Sequence, residues 1–434
     1  MRNISRRDFI KYCGMGALGL IIKPHLSCAQ AKDNFRASDV VQCFDENATT
    51  GSSINESVVQ VMMDESIKEL TGITNVGEAW KSIFPGITED SIISIKVNPI
   101  NSSLPTHLEL INCIVNGLVR MEFGGLEYIK NNIIIWDRSD GDLTASGYTI
   151  YDGNDPDTVR CFGTNHSGVG YDYATSFDVN GVTSHPSRIL SEMSDYLIDA
   201  AVLKNLSLSG VTMNLKNHYG SINNPSSLHG NMCNPYIPSL NQQIRDVLVP
   251  NDIQKVFIID ALFARYVGDG SANFNPKMLI ISQDIVACDY QGQNVINEER
   301  ANQGYSPIDA EHITTAAQPP YNLGTTDINL IEIENPTRIK ESDIINPKGS
   351  SLGVAPNPFH GKTKLTLSLK RNSAVYLDLV NASGRVLKKI HSGQFAKGTH
   401  QMYCHLGSDI PAGAYFIRLL ACGESQVKKV MLMR

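Results

Sequence analysis

The stretch that decides the fold runs from Val202 to Asp289 and alternates apolar runs with polar ends. Its segments read V-L-K-N at 202–205, G-V-T-M-N-L-K-N-H-Y-G at 210–220, V-F-I-I-D-A at 256–261 and S-Q-D-I-V-A-C-D at 282–289. The apolar runs are typical of buried strands, beside which an unpaired polar group is costly to bury. Because α/β proteins bind ligands where strands end, this density of ionisable groups indicates a site rather than a scattered surface.

The residues near these ends fall into two chemical groups. Lysine supplies a mobile positive charge and asparagine supplies directed donors and acceptors, a combination that suits an anionic ligand. The candidate ligand-binding residues are Lys96, Asn98, Lys204, Lys216, Asn217 and His229. Aspartates suit a divalent metal, for which the candidate ligands are Asp260, Asp284 and Asp289.

The geometry of strand ends predicts that most of these residues converge. We expect Lys204, Lys216, Asn217, His229 and the three candidate aspartates to share one pocket at the carboxyl edge of a sheet. The alternative is a purely structural role, in which buried lysine–aspartate pairs and strand-end caps satisfy each residue locally.

The rest of residues 31–335 alternates strand and helix patterns. Residues 92–98 and 133–137 read as buried strands, and the amphipathic segment 105–123 between them reads as a helix. This order predicts an α/β fold, with a layered, mostly parallel sheet core and helices on both faces. Residues 138–187 are rich in Gly, Asp and Ser and are interpreted as an insertion-like lobe.

The lobe follows an acidic segment that resembles part of a calcium loop. Residues 137–142 read D-R-S-D-G-D, but Tyr148 occupies the position where an EF-hand loop has its bidentate glutamate. A polar turn is therefore the better interpretation, although Asp137 and Ser139 come just after a strand, where ligands bind.

Residues of about 90–335 resemble the uncharacterised bacterial family known as domain of unknown function 362. The matching motifs are I-K-V-N near Lys96, the two K-N segments, I-I-D-A, D-I-V-A-C-D and the closing Y-N-L-G-T-x-D at 321–327. The resemblance implies a fold rather than a reaction. Many relatives carry a ferredoxin-like cysteine cluster, which this sequence lacks.

The carboxy-terminal part has a different character. Residues 336–352 read as a polar linker, and residues 353–434 combine P-N-P-F at 356–359 with period-two alternation and glycine turns. This pattern predicts an immunoglobulin-like antiparallel β-sandwich. It also resembles the sorting domain of the type IX secretion system, which implies that secretion machinery as a partner. An ordinary immunoglobulin-like appendage is the alternative.

The amino terminus resembles a twin-arginine signal peptide, assigned to residues 1–30. Arg6 and Arg7 precede Phe9, Lys11 and an apolar segment too short to span a membrane. The resemblance implies the twin-arginine translocase as a partner and no transmembrane helix in the mature chain. A G-x-G-x-x-G at 14–19 lies inside this signal with no preceding strand, so it does not indicate a dinucleotide site.

Charge and cysteine spacing exclude several functions. Residues 1–29 carry a net charge of +4 and residues 349–434 carry +9, which leaves −20 for residues 30–348 from a total of −7. A body this acidic repels phosphate backbones, so we expect no nucleic-acid partner. The nine cysteines form no C-x-x-C motif, so no iron–sulfur site is expected, although Cys404 and Cys422 have the placement for a cross-strand disulfide.

These observations predict a protein exported through the periplasm to the cell surface or the extracellular space. Its α/β core is expected to bind a cofactor, a metal or an anionic ligand, as an enzyme or a redox-accessory protein. The alternative is a non-catalytic surface module that binds a cation or a glycan. No G-x-S-x-G, H-E-x-x-H or P-loop motif is present to support the common hydrolase routes.

Overall fold

The computed structural model describes residues 37–248, 253–337, 350–381, 384–407, 410–421 and 424–433. The predicted signal peptide, with Arg6 and Arg7, lies outside the described residues, as does most of the predicted linker.

Helices form where apolar residues recur with helical spacing. The helices described in the chain are α1 (Glu56–Thr71), α2 (Val76–Ile83), α3 (Leu108–Leu118), α4 (Asp140–Ala145), α5 (Asn214–Asn217), α6 (Tyr236–Val247), α7 (Ile285–Asn302) and α8 (Glu311–Ala317). None of these is long and apolar enough to cross a membrane.

One large mixed sheet organises the first part of the chain. Its strands are β1 (Ser38–Phe44), β4 (Ile93–Lys96), β7 (Ile133–Trp136), β8 (Arg160–Cys161), β11 (Tyr196–Leu206), β12 (Gly210–Thr212), β13 (Gln254–Arg265), β14 (Met278–Ser282) and β15 (Ile328–Glu334). Short hairpins elsewhere comprise β2 (Thr49–Thr50) with β3 (Ser53–Ile54), β5 (Glu122–Phe123) with β6 (Leu126–Glu127), and β9 (Phe177–Val179) with β10 (Val182–Ser184).

The strand order brings several carboxyl ends to one edge. The order is β15-β1-β14-β13-β11-β4-β7-β8, with β12 paired to β11. Strands β13, β11, β4, β7 and β8 pair in parallel, whereas β14 is antiparallel to both of its neighbours. Parallel neighbours end at the same edge, so the residues that finish β4, β7, β11 and β13 are placed side by side.

Side-chain alternation along the strands builds an apolar core on each face of this sheet. In β11, Leu197 and Ala201 pack with residues of α6, α7 and α8, whereas Ile198 and Ala200 pack with residues of α1, α2 and α3. The structure is therefore a mixed α/β core whose sheet is covered by helices. The segment predicted as a lobe contains α4, β9 and β10, but its strand β8 joins the large sheet at the edge.

The carboxy-terminal part is rich in β-structure. Its strands are β16 (Ser350–Ala355), β17 (Phe359–His360), β18 (Lys362–Leu369), β19 (Ser373–Val380), β20 (Val386–Phe395), β21 (Gly398–His405), β22 (Gly413–Ala421) and β23 (Glu424–Met433). They form two sheets, ordered β16-β18-β21 and β17-β23-β22-β19-β20, and one apolar cluster contains residues of both. Cys404 is buried, and Cys422, its suggested partner, lies outside the described residues, so the disulfide stays a prediction.

This β-rich part contacts α1 through a few polar groups. Ser57 donates a hydrogen bond to Asp378 Oδ2 at 2.7 Å, and the Tyr376 hydroxyl donates one to Glu56 Oε1 at 2.9 Å. Val61 of α1 is buried with Tyr376 and Leu420 in a small apolar cluster.

Candidate functional site

A cavity of about 530 Å³ opens at the carboxyl edge of the parallel strands. Four of its charged residues finish adjacent strands: Lys96 ends β4, Asp137 follows β7, Lys204 lies near the end of β11 and Arg265 ends β13. All six residues predicted to bind a ligand line this cavity, namely Lys96, Asn98, Lys204, Lys216, Asn217 and His229. The sheet brings them together because its parallel strands deliver their ends to a common crevice.

At the base of the cavity, Lys96 and Asp137 form an ion pair. Lys96 Nζ lies 2.8 Å from Asp137 Oδ1, and it also donates hydrogen bonds to Val97 O at 2.9 Å and to Asn217 Oδ1 at 3.3 Å. Burial raises the pKa of Asp137, and the neighbouring Lys96 opposes that rise. A Cβ atom at Gly220 would lie 2.3 Å from Asp137 Oδ1, so glycine is required for this close approach.

Asn217 connects this ion pair to the rest of the site. Its Nδ2 donates to Asp199 Oδ1 at 2.6 Å, and its Oδ1 also accepts a hydrogen bond from Asn98 Nδ2 at 3.0 Å. Asn98 Oδ1 in turn accepts from Lys204 Nζ at 2.5 Å. Asn98 and Asn217 therefore orient the side chains of Lys204 and Lys96, as directed amide groups do.

Asp199 and His218 are buried ionisable groups next to Asn217. Asp199 is fully buried, and burial raises its pKa well above the ordinary value. His218 lies beside it, with Nε2 3.6 Å from Asp199 Oδ2, and burial lowers the pKa of His218 to about 3. His218 is therefore neutral near pH 7, and among the described residues Asp137 is the carboxylate within ion-pair distance of Lys96.

Lys204 and Lys216 are both buried, but their surroundings differ. Lys204 is 5% exposed and donates hydrogen bonds to Asn98 Oδ1 and, at 3.2 Å, to Leu104 O. Lys216 is 7% exposed, and among the described residues its Nζ has no hydrogen-bond or ion-pair partner. Its contact is with the ring of Tyr219, whose centroid lies 4.3 Å from Nζ. Burial lowers the pKa of Lys204 to about 8 and also lowers that of Lys216.

His229 completes this corner of the cavity. Its ring meets the ring of Tyr219 edge-on, with centroids 5.2 Å apart, so Tyr219 contacts both His229 and Lys216. Burial first, and the charge of Lys216 second, lower the pKa of His229. The imidazole is therefore neutral near pH 7 and retains a nitrogen that accepts a proton.

The three aspartates predicted as metal ligands do not join this cavity. Asp260 lies inside β13 rather than at its end, where its Oδ2 accepts from the backbone N–H of His107 at 2.8 Å and lies 2.7 Å from His107 Nδ1. Asp284 is the N-cap of α7 and accepts from the backbone N–H groups of Val286 and Ala287.

Asp289 likewise serves the backbone. It accepts hydrogen bonds from the N–H groups of Asn214 and Leu215, at 3.0 and 2.9 Å, at the start of α5. Within the residues that the structure describes, no group of three or more His, Cys, Asp or Glu is placed to hold a metal ion. The expected convergence is therefore corrected: lysines, asparagines and His229 come together, and the three aspartates act separately as backbone acceptors.

Sequence reasoning missed other residues of the site. Asp137 was assigned to a polar turn although it follows a strand, and Arg265 was missed because β13 continues past Asp260, where the sequence suggested a strand end. Tyr219 stands three residues after Lys216, and no pattern in the sequence distinguishes it from a core tyrosine.

Two family matches cover separate parts of the chain. Residues 158–293 match the family described as domain of unknown function (DUF362), and residues 353–433 match the secretion system C-terminal sorting domain. Both matches confirm resemblances seen in the sequence. The sorting domain indicates handling by the type IX secretion system and export to the cell surface or the extracellular space. No curated protein matches the chain.

The solved structures that resemble this chain do so only weakly. A crystal structure of dimeric latent PorU from Porphyromonas gingivalis is 17% identical over 20% of this chain and 10% of its own, with a TM-score of 0.17. A Thermotoga maritima protein is 11% identical over 58% of this chain and 60% of its own, with a TM-score of 0.35. This chain thus spans less than two thirds of either protein, and TM-scores this low do not establish a shared fold.

Proposed function

We propose that the α/β part of this exported protein binds a small anionic molecule in the cavity at the carboxyl edge of its sheet. The observation that carries the proposal is Lys216, a lysine that is 7% exposed and whose Nζ faces a cavity without an acceptor among the described residues. An ammonium group on a largely buried side chain that faces a confined cavity is stabilised by an anionic acceptor. A carboxylate or phosphate group bound in the cavity supplies the missing acceptor.

A second cation and the size of the cavity support a small ligand. Lys204 lines the same space and has only two acceptors for its three N–H groups. The volume of about 530 Å³ falls in the range typical of small-molecule sites, about 300–1,000 Å³. Ile100 and Leu208, both on the cavity lining and strongly exposed, suit a ligand that has an apolar part.

The charge of the whole body limits the kind of anion. Residues 30–348 carry a net charge of −20, which repels extended polyanions. The two lysines act at short range inside the cavity, where water and salt screen them less than at the surface. The proposal is therefore a compact anion with one or two charged groups.

The route of export fits a protein that carries such a ligand. Arg6 and Arg7 are proposed to direct the precursor to the twin-arginine translocase, which carries folded proteins, so that a ligand is able to bind before export. Residues 353–434 are proposed to form an immunoglobulin-like sandwich that presents the sorting signal after the linker of residues 336–352.

Thermal or urea unfolding in the presence of inorganic phosphate or acetate tests the proposal. At an anion concentration ten times its dissociation constant, binding stabilises the folded state by about 1.4 kcal/mol. We expect stabilisation of the natural protein, relative to sodium chloride at equal ionic strength, and its loss in Lys216→Met, which keeps the side chain's length but removes its charge. The exposed Lys389→Met variant is the matched control. Equal stabilisation of the natural protein and Lys216→Met by both anions contradicts the proposal.

A further inference from the structure

Three lysines line one cavity, and the number of hydrogen-bond acceptors around the amine falls from Lys96 to Lys204 to Lys216. Lys96 Nζ has three acceptors, on Asp137, Val97 and Asn217, which use all of its N–H groups. Lys204 Nζ has two. Lys216 Nζ has none among the described residues and instead lies over the Tyr219 ring.

Acceptors hold a lysine in its ammonium form, which has no lone pair with which to attack a carbon atom. A lysine without them, in an apolar and poorly hydrated place, loses its proton more readily and becomes a nucleophile. Burial lowers the pKa of Lys216, in agreement with this environment. The amine suited to covalent chemistry in this cavity is therefore that of Lys216.

We infer that Lys216 forms an imine with the aldehyde or ketone group of a small anion held in the cavity. This inference rests on the proposed anion site and specifies its ligand class as a carbonyl compound that bears a carboxylate or phosphate. Lys204 has one N–H group left over from its two hydrogen bonds, so it shares the anionic group with the ammonium form of Lys216 before the imine forms and keeps it afterwards.

The step balances without an oxidant or a reductant. The lone pair of neutral Lys216 Nζ attacks the carbonyl carbon, and the carbonyl oxygen takes a proton to give a carbinolamine. The C–O bond then breaks, both amine hydrogens and the oxygen leave as water, and a C=N bond remains. His229 contacts the same Tyr219 ring and is neutral near pH 7, so in this inference its imidazole accepts and returns the proton.

Reductive trapping on the full chain tests the inference. The probe is pyridoxal 5′-phosphate, an aldehyde with a phosphate group, fixed by borohydride at limiting concentration and located by peptide mass analysis. Lys389 and Lys397 are exposed and serve as internal references for unspecific reaction. We expect the label on Lys216 before either reference, and we expect pyridoxine 5′-phosphate, which lacks the carbonyl, to compete at Lys216 alone.

Two variants separate the covalent step from anion binding. Lys216→Arg keeps the positive charge but has no primary amine, so it should bind pyridoxine 5′-phosphate and lose the fixed label. Lys216→Met should lose both. Tryptophan fluorescence checks that each variant is folded, because Trp80 and Trp136 are both buried in the α/β core.

Each result has a defined meaning. Labelling of Lys216 no faster than that of Lys389 and Lys397, with pyridoxine 5′-phosphate still bound, overturns the imine and leaves the anion site standing. Binding of pyridoxine 5′-phosphate that is equally weak in the natural protein and in Lys216→Met overturns both the imine and the anion site. Labelling of Lys204 in place of Lys216 overturns the assignment of the nucleophile.

Discussion

The most direct physical consequence of the site is that Lys204 makes the stability of the core depend on pH. This side chain is 5% exposed, and burial lowers its pKa from 10.5 to about 8. Between these values the unfolded chain binds one proton more than the folded chain, so the free energy of unfolding rises with pH. Burial of the charged Lys204 lowers the free energy of unfolding by its full amount below about pH 8, and this loss is relieved as the pH rises towards 10.5.

The size of this effect follows from the pKa difference. Each unit of pKa shift corresponds to about 1.4 kcal/mol, so the whole rise amounts to about 3 kcal/mol. Between pH 7 and pH 9.5, a range accessible to experiment, the expected rise is about 2 kcal/mol. Lys204→Met removes the titrating group and with it this rise. It also leaves Asn98 Oδ1 and Leu104 O without their donor, but that loss does not vary with pH and shifts the whole profile by a constant.

Urea unfolding followed by tryptophan fluorescence measures the difference. Trp80 and Trp136 are the only tryptophans in the sequence, and both are fully buried in the α/β core, so the signal reports on that part of the chain. Subtracting the profile of Lys204→Met from that of the natural protein cancels the tyrosines and cysteines that also titrate in this range. Lys389→Met, in which the altered side chain is exposed, should keep the natural slope. Parallel profiles for the natural protein and Lys204→Met would refute a lowered pKa of the buried Lys204.

Two further predictions concern export and the carboxy-terminal part. Changing Arg6 and Arg7 to Lys keeps the charge but removes the planar guanidinium groups, so cell fractionation should find the precursor in the cytoplasm; normal export would contradict the twin-arginine assignment. Truncation after Lys348 should leave a cooperative tryptophan-detected transition, at lower stability because Val61 and Ser57 lose their contacts, and should stop the protein in the periplasm of a host with type IX secretion. Arrival of the truncated chain at the cell surface would show that residues 353–434 are an appendage without a sorting role.

The grouping of the lysines was predictable from sequence because it depends on a local and a topological rule. The local rule is that an apolar run such as that before Lys204 forms a strand, and the structure places it in β11. The topological rule is that neighbouring parallel strands end together, which brings Lys96 and Lys204 to the same cavity although they are distant in sequence. Lys216 follows because β12 pairs back on β11 and leads directly into α5.

The three aspartates were misplaced because an aspartate after an apolar run has more than one meaning. S-Q-D-I-V-A reads equally as a strand end and as a helix N-cap, and the hydrogen bonds of Asp284 show the second meaning. Asp260 interrupts an apolar run that continues to Arg265, so a charge that suggested a strand end lies within β13. Asp289 serves the N–H groups of α5, a contact between segments 74 and 75 residues apart that no local pattern reveals.

The hydrogen-bond acceptors around the lysines also bear on the net charge of the ligand that this cavity prefers. Lys96 is balanced by Asp137, and no carboxylate of the described residues lies within ion-pair distance of Lys204 or Lys216, so these two amines remain to be balanced. If Lys216 stays an ammonium group, a dianion balances these two amines. If Lys216 is consumed as a neutral imine, Lys204 alone needs a counter-charge and a monoanion suffices. The charge of the preferred ligand therefore discriminates between simple binding and covalent capture. A preference for monoanionic carbonyl compounds over dianions of equal size indicates that Lys216 is neutral.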